Sequence, residues 1–314
     1  MGRFRVLWLV LMYYVLSLSL GYLTSFLLSR KTYNFRFPLF KASAQNLIHF
    51  LGASAVLKLQ KEKAPKPSYF GSFPCAIAGA TDIGLSSISL RFTTLAFYTM
   101  VKSSSPVFIL LFGFAFGIEK PSITFFLTVF TIGVGVFLTS IKNTSFDIVG
   151  FWTISLASFM AGFRWAFVQY MIRIRTVRQE GIFVTMRDLC LPISFLLLMI
   201  SLYAEGLSEM ANSRFFNTLD AALKNFGYIL LCGILSFTLL CAEFSLVSET
   251  SVVFLSIAGI AKELMIVMYA ILRKDIVLSS LNYAGLIVSI AGIIIYNISR
   301  KPLVQDAMSE QETE

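Results

Sequence analysis

The feature that most limits what this chain can become is a succession of apolar segments, each about as long as a bilayer is thick. A hydrocarbon core of ~30 Å takes about 20 mostly apolar residues in a helix. Ten segments meet that length: residues 6–29, 38–58, 74–91, 93–117, 121–140, 147–172, 183–204, 225–248, 251–272 and 279–299. The longest polar stretches between them run from Lys58 to Pro74 and from Gly206 to Lys224. Composition agrees. Only 14% of the 314 residues are charged and 57% are apolar, against roughly a quarter charged in ordinary soluble domains. So few charges cannot cover a water-facing surface, which excludes a soluble enzyme, a disordered scaffold and a fibrous protein. The expected fold is an all-α polytopic membrane protein of ten transmembrane helices.

Lysines and arginines flanking the spans set orientation. An even number of spans puts both ends on one side. Thirteen basic residues fall on that side, among them Lys58, Lys66, Arg175 and Arg187, and nine on the other. Both termini are therefore expected in the cytosol. The first segment is too long for a signal-peptide core and has no clear cleavage site, so it is expected to remain as a span. The net charge of +9 comes from dispersed residues, not a basic stripe, so nucleic acid is not an expected partner. Cys75, Cys190, Cys232 and Cys241 lie in apolar runs without CxxC spacing and read as free buried thiols. With His49 the sole histidine, no multi-histidine metal site is available. No metal and no cofactor are expected.

A weak internal repeat divides the chain. Residues 94–102 superimpose on 251–259 at an offset of 157, which also carries Gly135 onto Gly292. Five helices followed by five similar ones must be inverted relative to each other, because five is odd. Inverted repeats mark transporters whose site lies near the midplane. The expected division is 1–145 for the first repeat, 146–300 for the second and 301–314 for an acidic cytosolic tail. Small residues, including the GxxxG of Gly113 and Gly117, are consistent with close helix packing.

Seven ionisable residues fall well inside spans: Lys41, Asp82, Lys102, Arg164, Glu243, Lys262 and Glu263. Each costs roughly 2.5–3.5 kcal/mol at the centre of a lone helix, so together they call for a polar cavity. Lys102 and Lys262 lie near the middle of spans four and nine. Pro106 removes the hydrogen bond to the Lys102 carbonyl, so a kink is expected there. Tyr98, Thr99 and Ser105 share the face of Lys102, Ser256 and Glu263 accompany Lys262, and Asp82 and Ser86 share a face of span three. Two midplane ammonium groups, one per half, suit phosphate oxygens and argue against a cationic substrate. No paired-carboxylate or metal motif sits in a water-facing loop, so a membrane glycosyltransferase is disfavoured and the chain is not expected to be an enzyme.

The stretches from Asp82 to Leu90, Tyr98 to Phe108, Gly162 to Trp165 with Gln169, and Ser256 to Glu263 resemble the triose-phosphate translocator and nucleotide-sugar transporter branch of the drug/metabolite transporters. They are most similar to the GDP-fucose-transporter-like solute carriers. The resemblance implies two inverted five-helix repeats in a Golgi or endoplasmic reticulum membrane. It also implies antiport of a nucleotide sugar, or a related sugar phosphate, against a nucleoside monophosphate or phosphate. Lys102 and Lys262 match the family's two phosphate-gripping lysines, and Ser86 matches a nearby hydroxyl residue. Glu263 stands where the family has an arginine, which argues against simple phosphate exchange. The glycine-rich signature of the GDP-mannose carriers is absent.

The substrate-binding residues expected on this basis are Lys102, Lys262, Ser86, Tyr98, Thr99, Ser105, Arg164, Glu243, Glu263 and Asp82. The expected partners are a small anionic solute, membrane lipids and, as an option, a second copy in a homodimer. The alternative function is a non-transporting membrane regulator that keeps the transporter fold.

Overall fold

The computed structural model describes residues 2–28, 33–60, 65–89, 98, 101–102, 104–118, 123–140, 148–177 and 181–272, with short helical pieces at 284–285, 287–288, 291–292 and 295. Among these residues the regular structure is helical throughout. The helices are α1 (Gly2–Leu28), α2 (Pro38–Leu59), α3 (Tyr69–Ser89), α4 (Ser105–Ala115), α5 (Ile123–Ser140), α6 (Ile148–Val177) and α7 (Ile182–Ser201), then a π-helical turn (Leu202–Gly206), α8 (Leu207–Ala211), α9 (Leu219–Glu249) and α10 (Val252–Leu272). Among the described residues, four stretches are long and apolar enough to cross a membrane: Phe4–Leu28, Ile148–Arg175, Ile182–Ala211 and Leu219–Glu249. On α1, Phe4, Leu7, Trp8, Leu11, Val15, Leu18 and Tyr22 are all exposed, an apolar stripe at helical spacing that water would not tolerate and lipid would.

Several boundaries differ from the sequence reading. Helix α3 starts at Tyr69, not at residue 74, with Pro74 inside it. The missing proline N–H costs one bond, to Phe70, in the second turn. Helix α6 runs to Val177 because Arg175, near its end, finds a buried partner described below. The polar stretch after Gly206 holds α8 and the start of α9, where the Thr218 hydroxyl accepts from the Ala221 N–H at 3.3 Å as an N-cap. The GxxxG of Gly113 and Gly117 is not an interhelical seam. Gly117 lies beyond the end of α4 at φ +63°, and the amides of Ile118 and Gly117 donate to the carbonyls of Gly113 and Phe114 at 2.9 and 3.0 Å. That is a Schellman C-cap, which selects glycine for its left-handed backbone.

The chain folds into two compact units. Unit one comprises residues 1–87 and 167–252, and unit two comprises 88–166 and 253–314. In unit one the contacts fix helix directions. Gln45 reaches the Cys232 carbonyl at 3.4 Å and His49 pairs with Ser236 at 2.8 Å, so α2 and α9 run parallel. Ser43 donates to the Ser194 carbonyl at 2.8 Å, while Leu39 and Phe40, nearer the start of α2, meet Glu205. Helices α2 and α7 are therefore antiparallel. Arg5 pairs with Glu249 at 3.0 Å, and the Phe26 ring lies 6.4 Å from Tyr228, so α1 and α9 are antiparallel as well. If α2 and α7 both cross a membrane, an even number of crossings must separate them.

One end of unit one is closed by aromatic rings. Phe35, Phe37 and Phe215 are buried, with Tyr33, Phe40 and Phe216 packed against them. The Tyr33 hydroxyl donates to Asn225 at 2.8 Å, and Arg214 donates to the Tyr33 carbonyl at 2.9 Å. The sequence reading counted the segment around Phe215 among the longest polar stretches. In unit two, Gly162 of α6 lets α4 approach closely. A Cβ there would clash with the Phe108 Cβ and come within 2.7 Å of its carbonyl carbon.

Candidate functional site

The candidate site is built on a helix interruption. Val101 and Lys102 are helical, the chain turns at Ser104, and α4 begins at Ser105. Pro106 has no N–H to give the Lys102 carbonyl. The Ser105 hydroxyl takes that place, donating to the Lys102 carbonyl at 2.7 Å, and the Ser104 hydroxyl does the same for Val101 at 2.8 Å. The Ser105 hydroxyl thus satisfies the carbonyl that Pro106 would otherwise orphan, while the Val101 carbonyl also accepts from the Ser104 N–H at 3.1 Å. Of the expected polar stripe, Tyr98, Lys102 and Ser105 are described, and the carbonyl of Lys102 is not free. Tyr98 packs with Val101 and Ile154, and Lys102 itself is half-buried.

The structure places the other expected residues as follows. Lys262 is half-buried on α10. The Arg164 guanidinium lies 4.9 Å from the centre of the Trp165 ring, a cation–π contact. These residues, with Tyr98, Lys102 and Ser105, belong to unit two. Asp82, Ser86 and Glu243 belong to unit one. Asp82 is buried, and the Ser86 hydroxyl donates to its carboxylate at 3.4 Å, so the face shared by these two residues is a bonded pair. Glu243 is half-buried on α9. Thr99 lies outside the described residues, as does the side chain of Glu263. Gln169, grouped with Arg164 in the sequence reading, has a structural task instead. Its carboxamide oxygen accepts from the Val252 N–H at 2.9 Å, which caps the start of α10.

Two buried polar centres escaped the sequence reading. Asp188, 1% exposed, accepts from Arg175 at 2.8 Å, Arg187 at 2.9 Å and the Ser68 N–H at 3.2 Å. Arg175 and Arg187 had been counted only as orienting charges at span ends. Both are buried because a carboxylate and the Pro65 carbonyl, 3.0 Å from Arg187, receive their protons. The sequence signal was the adjacent Arg187-Asp188 pair in an apolar run. The second centre is Glu205, which accepts from the N–H groups of Leu39 and Phe40 at 2.7 and 3.0 Å and from the Ser201 hydroxyl at 2.7 Å. It caps α2 from the π-helical turn, one residue past the expected end of its span. Lys41, also buried, donates to the Thr24 hydroxyl at 3.0 Å. Among the described residues no group of three histidine, cysteine or acidic side chains could hold a metal ion.

Helical structure throughout the described residues, long apolar helices, a broken helix carrying a lysine and several buried charges fit a multi-pass membrane protein. Its sequence matches the Triose-phosphate Transporter family over residues 4–297, and the chain belongs to that family. It is accordingly a transporter-family protein and not an enzyme.

A probable sugar phosphate/phosphate translocator of Arabidopsis thaliana is 32% identical over 239 residues, which cover 76% of this chain and 58% of the relative's length. The Saccharomyces cerevisiae protein YMD8, whose name proposes nucleotide-sugar transport, is 28% identical over 309 residues, covering 77% of this chain and 70% of its own. UDP-galactose transporter 1 of Arabidopsis thaliana is 24% identical over 283 residues, covering 87% and 81%. One crystal structure superposes at a TM-score of 0.65 over 95% of this chain and 98% of its own, at 11% identity. That is a likeness of fold alone.

Proposed function

We propose that this protein is a secondary antiporter that moves a nucleotide sugar, or a related sugar phosphate, across a Golgi or endoplasmic reticulum membrane. The counter-substrate is a nucleoside monophosphate or phosphate, and the mechanism is alternating access. In this reading the chain forms ten spans in two inverted five-helix repeats, 1–145 and 146–300, with both termini and the acidic tail 301–314 in the cytosol. The even crossing number required between α2 and α7 agrees with four spans there. The observation that carries the reading is the interrupted helix at Lys102, Ser105 and Pro106, whose half-buried lysine supports a role in binding an anion. The relatives' names supply the substrate class.

Lys102 and Lys262 neutralise phosphate charge. Ser86, Tyr98, Thr99 and Ser105 supply hydroxyl groups, and Asp82, Arg164, Glu243 and Glu263 orient or balance the cations. Closing an empty cavity over uncompensated lysines is costly in a low-dielectric interior, so the return step needs an anion and transport becomes exchange. The test is uptake of labelled nucleotide sugars and sugar phosphates into liposomes holding the purified protein, with and without an internal nucleoside monophosphate or phosphate. Exchange that needs the internal anion and is lost in Lys102→Ala and Lys262→Ala is expected. No exchange with any of these solutes, or variants that transport normally, overturns it. Glu263 in the place of the family's arginine favours a second reading, a non-transporting regulator, which saturable binding without exchange would select.

A further inference from the structure

Lys41 lies in the first turn of α2 and is 4% exposed. It is one of the seven ionisable residues expected inside spans, and the transport reading above gives it no task. Its Nζ donates to the Thr24 hydroxyl of α1 at 3.0 Å. Among the described residues it has no other hydrogen-bond partner and no ion pair. We propose that Lys41 is a binding site whose ligand is a proton: the side chain is an uncharged amine while α1, α2 and α9 are packed together, and it takes up a proton when they part.

Charge gives the first reason. An ammonium group brings three N–H donors and a full charge, and here a single neutral hydroxyl receives one of those donors. A buried cation without a counter-charge is strongly disfavoured against its neutral form. The neighbouring groups do not supply that counter-charge. On α9 the nearest titratable group is the Cys232 thiol. Tyr228, one turn before it, lies against Tyr33 and Phe26, with ring centroids at 5.2 and 6.4 Å. Glu205, over the start of α2, accepts from the N–H groups of Leu39 and Phe40 and from the Ser201 hydroxyl. His49, two turns along the same face of α2, is paired with Ser236 at 2.8 Å. Helix α7 adds Ser194 and Ser201, which do not titrate. Space gives the second reason. Cys232 is 0% exposed, and the next residue, Gly233, admits Ile48 so closely that a Cβ there would clash with it. On the facing helix, a Cβ at Gly52 would come within 2.9 Å of the Phe237 ring. The seam between α2 and α9 is therefore tightly closed. An inorganic or organic anion needs room beside the nitrogen, whereas a proton needs none. An amine that keeps its hydrogen bond to Thr24 meets both constraints, and parting of the three helices lets water reach Nζ and charge it.

The proposal stands apart from the antiport reading, since no solute enters it. The test unfolds the purified protein in mixed micelles with sodium dodecyl sulfate, in weakly buffered solution at about pH 8, where an unfolded lysine is charged. An indicator dye counts the protons taken up. The parent is expected to take up about one proton per chain more than Lys41→Met, because its folded state holds one fewer than its unfolded state. Acid therefore favours unfolding. Relative to Lys41→Met, the unfolding constant of the parent is expected to rise by ~10-fold for each unit fall in pH around that value. Methionine fills a similar volume without a charge, and Lys41→Leu repeats the count if Lys41→Met fails to fold. Lys41→Arg, whose guanidinium keeps its proton, is expected to unfold at lower dodecyl sulfate than the parent. Equal proton uptake by the parent and the apolar variant, or parent-like stability of Lys41→Arg, overturns the proposal. Failure of both apolar variants to fold would show that the charge itself is needed, and overturns it as well. Absence of solute exchange in liposomes overturns the antiport reading and leaves the proton count unaffected.

Discussion

Glu205→Ala tests how the π-helical turn holds α2 in place. The carboxylate accepts from the N–H groups of Leu39 and Phe40 and from the Ser201 hydroxyl, all within 3.0 Å. Leu39 is 2% exposed and Glu205 5%, so water does not readily replace the lost acceptor. A buried donor left unsatisfied costs about 1–3 kcal/mol, and the favourable meeting of a carboxylate with a helix N-terminus adds about 0.3–1 kcal/mol. Relaxation around the smaller side chain recovers part of this, so the expected loss is about 2–4 kcal/mol. Glu205→Gln keeps one acceptor but turns an amine toward a backbone donor, and it is expected to lose about 1 kcal/mol from the charge. Unfolding of the purified variants in mixed micelles, titrated with sodium dodecyl sulfate, reads the difference. The order Ala worse than Gln worse than parent is required. An alanine variant within about 0.5 kcal/mol of the parent, the range of an ordinary surface change, would refute the claim that Glu205 caps α2.

Three further outcomes follow from contacts already described. Gly162→Ala should destabilise unit two by about 1–3 kcal/mol, as overpacking does; a normal melting profile would show that α4 and α6 do not approach as closely as described. Gly117→Ala, at φ +63°, is expected to lose about 1 kcal/mol by the same micelle assay through the strained left-handed cap, and a neutral result would contradict the Schellman assignment. Asp188→Ala removes the carboxylate shared by two buried guanidinium groups and should cost about 3–5 kcal/mol, seen as poor yield or early unfolding in detergent; parent-like stability would mean that the arginines' remaining contacts suffice.

The positions of most described helices were legible because apolar length is a strong signal, and the break at Lys102 because proline has a local rule. Side-chain purpose was less legible. Gly113 and Gly117 are four apart whether they form a packing seam or a helix end, and only the backbone angle of Gly117 separates the two. Arg175 and Asp188 are distant in sequence across a turn, so counting flanking charges assigned the arginine to orientation. Glu205 fell one residue beyond a predicted span and was assigned no role, whereas the π-helical turn carries it back over the start of α2. Of the candidate site, the shared face of Asp82 and Ser86 followed from helical spacing, whereas the Ser105 bond to the Lys102 carbonyl did not. Partners such as Gln169 and Val252, which meet through folding, did not.

The split make-up of unit one bears on how the protein is made. Its pieces, residues 1–87 and 167–252, are separated by 79 residues of unit two. Synthesis runs from the N-terminus, so α1 and α2 leave the ribosome long before α7 and α9 exist. Until then, Ser43, Gln45 and His49 lack the helix faces that satisfy them in the finished fold. A chain halted before residue 219 lacks α9 and keeps Gln45 and His49 uncovered in the bilayer. Such a nascent chain displays the polar intramembrane surface on which membrane quality control could act, so premature termination here produces a substrate for degradation and not half a carrier.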